Sequence, residues 1–454
     1  MDDYRLIADR VAADITDGRL RPGQQLPTQR AFARSRGIAA STAGRVYREL
    51  ARRGLTVGEV GRGTFVRAGR STEDGRIALA EPTSAPVDLE LNYPVTPGQA
   101  ELLAGGLAPL LRPDALGDAL RPVGAAGTDA ARLAFAGLLS AGSWQAEPAD
   151  LLFAGNGRQA AAGALSALVP PGQRLGVEAL TYPVVKAVAQ RLGVRLVPLA
   201  VDEDGLLPEA VAAAHRAAPL RAVYVQPRLQ NPLGASMPPA RLAALAEELR
   251  RLDLPVVEDA VWSFLRPDLT PLAALAPERT VLVDSLSKRL VPGLTSGFAL
   301  TPGALREQVA GALRSGGWTP NGFALEAAVR WIGDGTLAAT EAAKRADAAD
   351  RQALAREVLA GQRVRADPCS YYLWWELPGA WRAEAFVAAA ARAGISITPA
   401  AAFAVDPRRS PAAVRVGLAS PTLPVLARAL GTLARIATAG AGGAGGRATR
   451  AADS

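Results

Sequence analysis

The chain is poor in three residue types that often carry chemistry. Its 454 residues include one cysteine, Cys369, one histidine, His215, and three lysines, whereas the other 48 basic residues are arginines. A single cysteine excludes an intramolecular disulfide and fits a reducing compartment. Arginine keeps its proton and cannot form a Schiff base, so each of the few lysines is a candidate for a specific role.

Long apolar stretches are also missing from the sequence. No run is long enough to span a bilayer, and the N-terminus lacks the charged, apolar and small-residue segments of a secretory signal. We therefore expect a cytoplasmic protein that makes no membrane contact. At this length, and with 49% hydrophobic residues, two or more domains are expected.

Lys288 has the most informative position of the three lysines. It follows the β-rich run of residues 280–284, in the segment Ser285-Leu286-Ser287-Lys288. A lysine in such surroundings can lose its proton and attack an aldehyde. The sequence predicts a reactive amine at this position.

The net charge of +8 is concentrated at the N-terminus. Residues 1–67 contain 13 arginines against 7 acidic residues, and the arginines between positions 30 and 53 are opposed only by Glu49. One-sided basic stretches of this kind neutralise phosphates. The first 67 residues therefore form the basic module of the chain.

Helix and strand signals predict a helix-turn-helix followed by a wing in this module. Apolar spacing favours a helix from residue 4 to about residue 18, and Thr28 is a candidate N-cap of a second helix. Ser41 or Thr42 is the candidate cap of a third, arginine-rich helix. Two short β-rich runs flank residues 61–63 and indicate a two-stranded wing.

These residues resemble the GntR family of bacterial winged-helix repressors. The resemblance rests on residues 18–30 and on Gly-Arg-Gly-Thr-Phe-Val at 61–66, and it covers nearly all of residues 4–66. It implies binding to a double-stranded DNA operator. The residues that would face the DNA are Arg30, Ser41, Thr42, Arg45, Arg48 and, in the wing, Arg62. The residues alone leave open a solvated, arginine-rich helical face.

The rest of the chain divides by composition into a linker, a large domain and a tail. Residues 68–86 are polar and contain glycine and proline without periodicity, which indicates a linker. In residues 87–437, short β-rich runs alternate with helix-length segments, which predicts an α/β fold with a mainly parallel sheet. Residues 438–454 are rich in glycine and alanine and are predicted to be disordered.

Three predicted strand ends in the large domain carry polar motifs. An Asn-Pro-x-Gly turn begins at Asn231, Asp259 ends the next run, and Lys288 follows the third. The order and separation of these motifs resemble the fold-type I pyridoxal-phosphate aminotransferases, from about residue 89 to about residue 436. The resemblance implies a smaller C-terminal subdomain and a site for pyridoxal 5'-phosphate. No metal site is predicted.

The resemblance also assigns a role to each site residue. By this resemblance, Lys288 would form the internal aldimine, Asp259 would pair with the pyridinium nitrogen, and Asn231 would hydrogen-bond the phenolic oxygen. Tyr182 would lie against the ring, and Arg415 would bind a ligand carboxylate. The phosphate would be held by Asn156, Gly157, Arg158 and Ser285. Taken singly, each residue also has a structural interpretation, such as a helix cap or a surface ion pair. Trp262 is interpreted as a core aromatic residue.

Two positions depart from the family pattern. Thr295 stands where the family has an arginine for the phosphate, and Val261 replaces an expected tyrosine. Both departures bear on the affinity for the cofactor. Arg158 and Arg289 are the two candidates for the missing phosphate contact.

A winged helix ahead of an aminotransferase-like domain resembles the MocR/GabR subfamily of GntR regulators. The resemblance implies a head-to-tail homodimer that regulates transcription and senses an amine or amino acid by aldimine exchange. An active aminotransferase with an accessory DNA-binding domain is the first alternative. A ligand-sensing regulator without pyridoxal phosphate is the second.

Overall fold

The structure is a computed structural model and describes most of the chain. The described residues are 4–16, 19–20, 24–53, 55–59, 63–66, 85–140, 142–379 and 381–442. They form an N-terminal three-helix module with a two-stranded wing and a larger α/β domain. Arg62 and nearly all of the predicted linker lie outside the described residues.

The N-terminal module is a helix-turn-helix followed by an antiparallel wing. Its elements are α1 (Tyr4–Thr16), α2 (Gln29–Arg36), α3 (Ala40–Arg52), β1 (Thr56–Glu59) and β2 (Gly63–Val66). Apolar side chains from the three helices, among them Val11 and Phe32, meet in one buried core. Thr28 caps α2 by accepting a backbone N–H at 3.2 Å, as predicted. Gly37 ends the helix with φ 63°, a conformation that glycine adopts without strain.

The start of α3 differs from the prediction. Ala39 is the N-cap residue, so the cap predicted at Ser41 or Thr42 was wrong, and both residues lie in the first turn. Alanine has the highest helix propensity, which lets the helix begin before the hydroxyl residues are reached. Ser41 is therefore exposed on the helix surface instead of being used as a cap.

The large domain contains the remaining strands and helices. The strands are β3 (Val87–Asp88), β4 (Leu151–Ala154), β5 (Arg174–Glu178), β6 (Arg195–Leu199), β7 (Val201–Asp202), β8 (Gly205–Leu206), β9 (Ala222–Val225), β10 (Val256–Asp259), β11 (Thr280–Ser285), β12 (Gly297–Leu300), β13 (Arg363–Arg365), β14 (Tyr372–Glu376), β15 (Ile395–Ser396), β16 (Thr398–Pro399) and β17 (Ala413–Gly417). The helices are α4 (Gln99–Leu107), α5 (Pro113–Ala119), α6 (Asp129–Leu139), α7 (Gly157–Leu168), α8 (Pro183–Leu192), α9 (Pro208–Ala217), α10 (Pro239–Arg251), α11 (Leu272–Leu275), α12 (Leu286–Arg289), α13 (Gly303–Ser315), α14 (Gly322–Gly333), α15 (Thr336–Val358), α16 (Ala383–Arg392) and α17 (Leu423–Gly442).

A seven-stranded sheet positions the site. Its order is β4-β12-β11-β10-β9-β5-β6, with β12 antiparallel to both neighbours and the other pairs parallel. Every residue of β9 to β12 is buried, as expected for a sheet covered by helices on both faces. The carboxyl ends of β5, β9, β10 and β11 meet at one edge, where ligands collect in such sheets.

The β-rich runs predicted at residues 175–178, 194–201, 222–226, 255–259 and 280–284 correspond to β5, β6, β9, β10 and β11. The prediction missed β4 and β12. Both are four-residue apolar segments, Leu-Leu-Phe-Ala and Gly-Phe-Ala-Leu. Periodicity cannot distinguish such short apolar runs from part of a buried helix. The mainly parallel sheet itself is confirmed.

The predicted smaller subdomain is built on a four-stranded antiparallel sheet, in the order β13-β14-β17-β16. The helices α16 and α17 and the end of α15 bury apolar side chains against it. Strand β3 pairs with β15, so the chain enters the large domain through this subdomain. Arg415 on β17 is thereby placed beside the residues that follow β3.

The wing packs against the small subdomain. The guanidinium carbon of Arg382 lies 3.4 Å from the centroid of the Phe65 ring in β2. Phe65 is 6% exposed and is not part of the apolar core that the module's helices form. The large domain therefore covers part of the wing.

The last helix extends beyond the predicted domain boundary. Helix α17 continues to Gly442, so residues 438–442, assigned above to a disordered tail, are helical. The rest of that tail lies outside the described residues. Among the described helices, none combines the length and apolar character needed to cross a membrane.

Candidate functional site

Lys288 lies on α12, a single helical turn that directly follows β11. Its Nζ is 3.8 Å from the centroid of the Tyr93 ring and 5.1 Å from that of Trp262, and it donates a hydrogen bond to the carbonyl of Asn92. Trp262 was interpreted from the sequence as a core residue, and it is buried, but it also faces the amine. The amine is therefore enclosed by two aromatic rings.

The surroundings of Lys288 favour a neutral amine. Burial lowers its pKa well below the ordinary lysine value, and the charges of Arg158, Arg415 and Lys344 lower it further. A charged group loses solvation in such a place, and neighbouring cations repel a further positive charge. A neutral lysine amine is a nucleophile, which is the state that attack on an aldehyde requires.

Asp259 ends β10, at the same edge of the sheet. Tyr224 donates its phenol O–H to Oδ2, and the N–H of Val261 donates to Oδ1 at 3.1 Å. Burial raises the pKa of Asp259 to about 6, and these hydrogen bonds oppose the increase. The carboxylate has no ion pair with any described residue, and a buried carboxylate of this kind is stabilised by a cationic partner.

The Asn231 turn is held by a network of buried amides and one carboxyl group. The side chain of Gln226 accepts the N–H of Asn231 at 3.1 Å, and it lies close enough to Asp259 to lower the pKa of that carboxylate. Glu178, at the end of β5, accepts the N–H of Gln226 at 3.4 Å and the amide of Gln230 at 3.3 Å. The Oδ1 atom of Asn231 is buried without a hydrogen-bond partner among the described residues. Because buried polar atoms are normally paired, this atom is a ready acceptor for a ligand.

The start of α7 lies against the end of β11. The side chain of Asn156 caps α7 by accepting the N–H of Gln159 at 3.0 Å. A Cβ on Gly157 would lie 2.9 Å from Oγ of Ser285, and one on Gly297 would lie 2.1 Å from the carbonyl oxygen of Asn156. Glycine is required for this close approach. The backbone N–H groups of a helix start are well suited to an anion such as phosphate.

Arg158 and Tyr182 meet beside this helix start. Their side chains interact electrostatically, and burial raises the pKa of Tyr182 while the positive charge of Arg158 opposes that increase. Arg158 is exposed and has no carboxylate partner among the described residues. It therefore remains a candidate for the missing phosphate contact.

Arg289 is not available for a phosphate. Its guanidinium donates to Asp284 at 2.7 and 3.0 Å and to Glu341, and it is 5% exposed. The hypothesis that Arg289 replaces the missing arginine is wrong, because two buried carboxylates already neutralise it. Thr295, at the position of that arginine, instead meets the hydroxyl of Ser287 at 3.0 Å.

Arg415 approaches the site from the small subdomain. It donates to the hydroxyl of Thr398 at 3.2 Å and to the carbonyl of Glu90. Its Nε is buried without a hydrogen-bond partner among the described residues. Burial lowers the pKa of Arg415, while Tyr372 and Glu90 oppose the decrease. A guanidinium with an unused N–H can bind a ligand carboxylate.

The DNA-binding candidates lie on α2 and α3. Arg30, Ser41, Arg45 and Arg48 are exposed, and Thr42 is half-buried. The guanidinium carbon of Arg45 lies 4.9 Å from the centroid of the Tyr4 ring, which limits its reach. The remaining candidate, Arg62, lies outside the described residues.

Two arginines of the basic stretch are neutralised within the module. Glu49 accepts hydrogen bonds from Arg52 at 2.7 and 2.8 Å and from Arg53 at 2.9 Å. These bonds lower the pKa of Glu49 to about 2. Arg53 also pairs with Asp9. Arg30 and Arg48, by contrast, are exposed and have no carboxylate partner among the described residues.

Sequence reasoning missed several residues that shape the site. Asn92, Tyr93, Tyr224, Gln226 and Lys344 each contact a predicted site residue or its turn. The one available signal was the position of Gln226 at a strand end, five residues before Asn231. The others become site residues only through contacts between distant segments.

Two family models match the chain. The GntR family of bacterial regulatory proteins matches residues 3–66, and aminotransferase class I and II matches residues 121–433. The chain belongs to the aminotransferase class I and II family. With its GntR domain, it is a transcription regulator that carries an aminotransferase-like domain.

The curated relatives of this chain include HTH-type transcriptional regulators. The present chain is 28% identical over 438 residues to the uncharacterized HTH-type transcriptional regulator YdeF of Bacillus subtilis. The match covers 95% of this chain and 94% of that protein. The chain is 33% identical over 159 residues to the HTH-type pyridoxine biosynthesis transcriptional regulator PdxR of Corynebacterium glutamicum, covering 34% of each.

Solved aminotransferases share the fold of the large domain. An archaeal alanine:glyoxylate aminotransferase superposes with a TM-score of 0.72 at 20% identity, covering 78% of this chain and 91% of that chain. The α-aminoadipate aminotransferase LysN from Thermus thermophilus, solved in complex with N-(5'-phosphopyridoxyl)-L-leucine, superposes with a TM-score of 0.68 at 20% identity, covering 78% and 92%.

Proposed function

We propose that this regulator binds pyridoxal 5'-phosphate at Lys288 and uses it to sense an amine or amino acid that changes its affinity for DNA. The observation that carries the proposal is the ring-enclosed amine of Lys288, whose surroundings lower its pKa, at the strand edge that also bears Asp259 and Asn231. The chemistry of this site matches the group that LysN carries in its complex.

The residues fit each part of pyridoxal phosphate. Asp259 is a buried carboxylate that can pair with the ring nitrogen, and the side-chain amide of Asn231, whose Oδ1 has no partner among the described residues, can hydrogen-bond the phenolic oxygen. The N–H groups at Gly157 and Arg158, with the hydroxyl of Ser285, can receive the phosphate. When bound, the group supplies an aldehyde that condenses reversibly with amines.

The protein's own residues set the selectivity for the effector. Lys288 in its neutral form competes with an incoming amine for the aldehyde. Arg415 offers its unused Nε to a carboxylate, which favours amino acids over simple amines. Tyr93 and Trp262 flank the amine and keep water away from it. A ligand bound here alters DNA binding only if its affinity differs between two conformers of the protein.

The proposal includes a head-to-tail homodimer. Val95, Leu102, Leu111, Leu120 and Leu133 are exposed large apolar side chains, and all lie between residues 95 and 133. Exposed apolar surface of this kind is typical of interaction sites. A dimer presents two winged helices to two half-sites of an operator, with Arg30, Ser41, Thr42, Arg45, Arg48 and Arg62 toward the DNA.

Absorbance spectroscopy tests the cofactor. The wild type, Lys288→Ala and the matched control Lys186→Ala are titrated with pyridoxal phosphate and then treated with borohydride. We expect a visible band in the wild type and the control, and a reduced adduct that mass spectrometry locates on residue 288. A wild type without a band that depends on Lys288 would instead support a regulator that senses its ligand without pyridoxal phosphate.

DNA-binding assays test the sensor. A fluorescent operator selected from random duplexes is titrated with the loaded protein in the presence of amines and amino acids. We expect at least one compound to change the affinity for the wild type but not for Lys288→Ala. Steady turnover of an amino acid with a 2-oxo acid, without any change in DNA affinity, would favour an active aminotransferase.

A further inference from the structure

None of the three lysines is exposed, although the surface is rich in arginine. Lys344, on α15, is 0% exposed, and Lys186 is 8% exposed and donates to the carbonyls of Ala402 and Ala404 at 2.7 Å. Burying an ammonium group is unfavourable unless the protein supplies compensating partners. The hydrogen-bond partners of Lys344 therefore indicate which part of the fold its buried ammonium group stabilises.

Lys344 lies directly beneath the turn that carries the reactive amine. Its Nζ donates to the backbone carbonyl of Lys288 at 2.9 Å and to that of Leu290. Gln99 donates to the same carbonyl of Leu290 at 3.1 Å. The last carbonyls of a helix have no partner within the helix. In α12, a side chain from another part of the fold supplies that partner.

Nearby acidic groups do not explain the position of Lys344. Glu341 binds Arg289, and Asp347 binds Arg351 at 2.7 Å and accepts the phenol of Tyr371 at 2.9 Å. Lys344 forms no ion pair within the described part of the chain. Its contacts are with the α12 carbonyls, where a positive charge also interacts favourably with the helix dipole.

We propose that Lys344 is a positioning residue that fixes the turn bearing Lys288 and keeps the reactive amine aimed between Tyr93 and Trp262. Burial lowers the pKa of Lys344 to about 7, while Glu341 and Asp347 oppose that decrease. Its remaining charge adds to those of Arg158 and Arg415 in lowering the pKa of Lys288. The inference rests on the proposed function only in taking pyridoxal phosphate as the aldehyde that reacts with Lys288.

Competitive labelling of the cofactor-free protein tests the inference. Trace acetic anhydride is applied across a pH series, and mass spectrometry follows acetylation of Lys288 in the wild type, Lys344→Met and Lys344→Gln. Methionine removes both the donors and the charge, whereas glutamine keeps donors and removes only the charge. Lys186→Met is the matched control, because it removes another buried lysine that donates to carbonyls.

We expect the labelling midpoint of Lys288 to rise by about one pH unit in Lys344→Met. The dissociation constant of the Lys344→Met variant for pyridoxal phosphate should be about tenfold higher than that of the wild type. The Lys344→Gln variant should show a smaller increase. Lys186→Met should leave the Lys288 midpoint unchanged. A wild-type midpoint and affinity in both Lys344 variants, or an equal shift in Lys186→Met, would overturn the inference.

The outcomes separate this inference from the proposed function. A wild type that does not bind pyridoxal phosphate, but whose Lys288 midpoint depends on Lys344, would contradict the cofactor and support the positioning role. If Lys344→Met does not fold, Lys344→Gln decides, since it retains hydrogen-bond donors beneath α12. An unshifted Lys288 midpoint in folded Lys344→Gln, together with unchanged affinity, would then count against the role.

Discussion

The two domains place their cations in opposite surroundings. On α3 of the winged helix, Arg45 and Arg48 are exposed, whereas Arg289, Lys344 and Arg415 of the large domain are buried among defined acceptors. An exposed cation adds little to folding and remains available to a polyanion. A buried cation changes the stability and the pKa of its neighbours. The same formal charge is thus available to an external partner in one domain and acts on neighbouring side chains in the other.

The largest expected effect is on the buried side of this comparison. Arg289→Met leaves Asp284 and Glu341 buried without their shared cation, which should lower the free energy of unfolding of the large domain by about 3–5 kcal/mol. Tryptophan fluorescence in a urea titration measures it, because all seven tryptophans lie beyond residue 140. Arg121→Met is the control, since its ion pair with Asp118 is exposed, and it should change stability by less than about 0.5 kcal/mol.

The Arg415→Met substitution should have the second-largest effect, on the response of the protein to its effector. Loss of the guanidinium should weaken the response to an effector amino acid roughly 30- to 100-fold, as expected for a buried charged hydrogen bond. The half-maximal effector concentration in the DNA-binding assay measures this change. The amine formed by removing the effector's carboxylate should respond equally in wild type and variant. An equal loss for both ligands would indicate a structural defect.

Glu178 gives a test by pH. Burial raises its pKa to about 8, whereas an unfolded glutamate has a pKa of about 4.3. The folded state binds this proton more tightly than the unfolded state, so the wild type loses stability as pH rises between these values. Glu178→Gln should remove that loss and should therefore become progressively more stable than the wild type as the pH rises towards 8. Urea titrations at pH 5 and pH 8 measure the difference.

The control for this test is Glu307→Gln, because the Glu307 side chain is 79% exposed. It should leave the pH dependence of stability unchanged. A wild type and a Glu178→Gln variant that respond identically to pH would show that Glu178 titrates as an ordinary glutamate.

The smallest effect is expected on the exposed side. Arg48→Ala should weaken operator binding by about 1 kcal/mol and leave the unfolding curve unchanged. The slope of the logarithm of the binding constant against the logarithm of the salt concentration should fall by about the value expected for one phosphate contact. Fluorescence anisotropy at several salt concentrations measures both quantities. Arg52→Ala should have a smaller effect, because Arg52 is held by Glu49. A stability loss in Arg48→Ala would contradict the division between the two domains.

The predicted strands and motifs were recovered where local pattern and chemistry agree. Thr28 and Gly37 mark the ends of α2 through cap geometry, which depends on the residue itself. Asp259 and Lys288 were placed at strand ends because β-rich runs precede both. The start of α3 was missed because the helix begins at Ala40, a strong helix former, before the two hydroxyl residues are reached.

The second layer of the site could not be predicted from sequence. Tyr224 was assigned only to a strand, and its contact with Asp259 depends on the pairing of β9 with β10. Lys344 lies 56 residues beyond Lys288 and meets its carbonyl only because α15 crosses beneath α12. The neutralisation of Arg289 likewise depends on an ion pair with Glu341, which lies on that same helix. Such contacts are set by tertiary packing.

The burial of all three lysines makes the folded protein resistant to one class of protease. An enzyme that cleaves only after lysine finds no exposed cleavage site on the folded chain, because Lys186, Lys288 and Lys344 are each partly or fully buried. All three lie in the large domain, so cleavage at lysine reports the opening of that domain alone. An arginine-specific enzyme has many sites in both domains. The pair of enzymes would therefore distinguish local fraying of the winged helix from opening of the large domain.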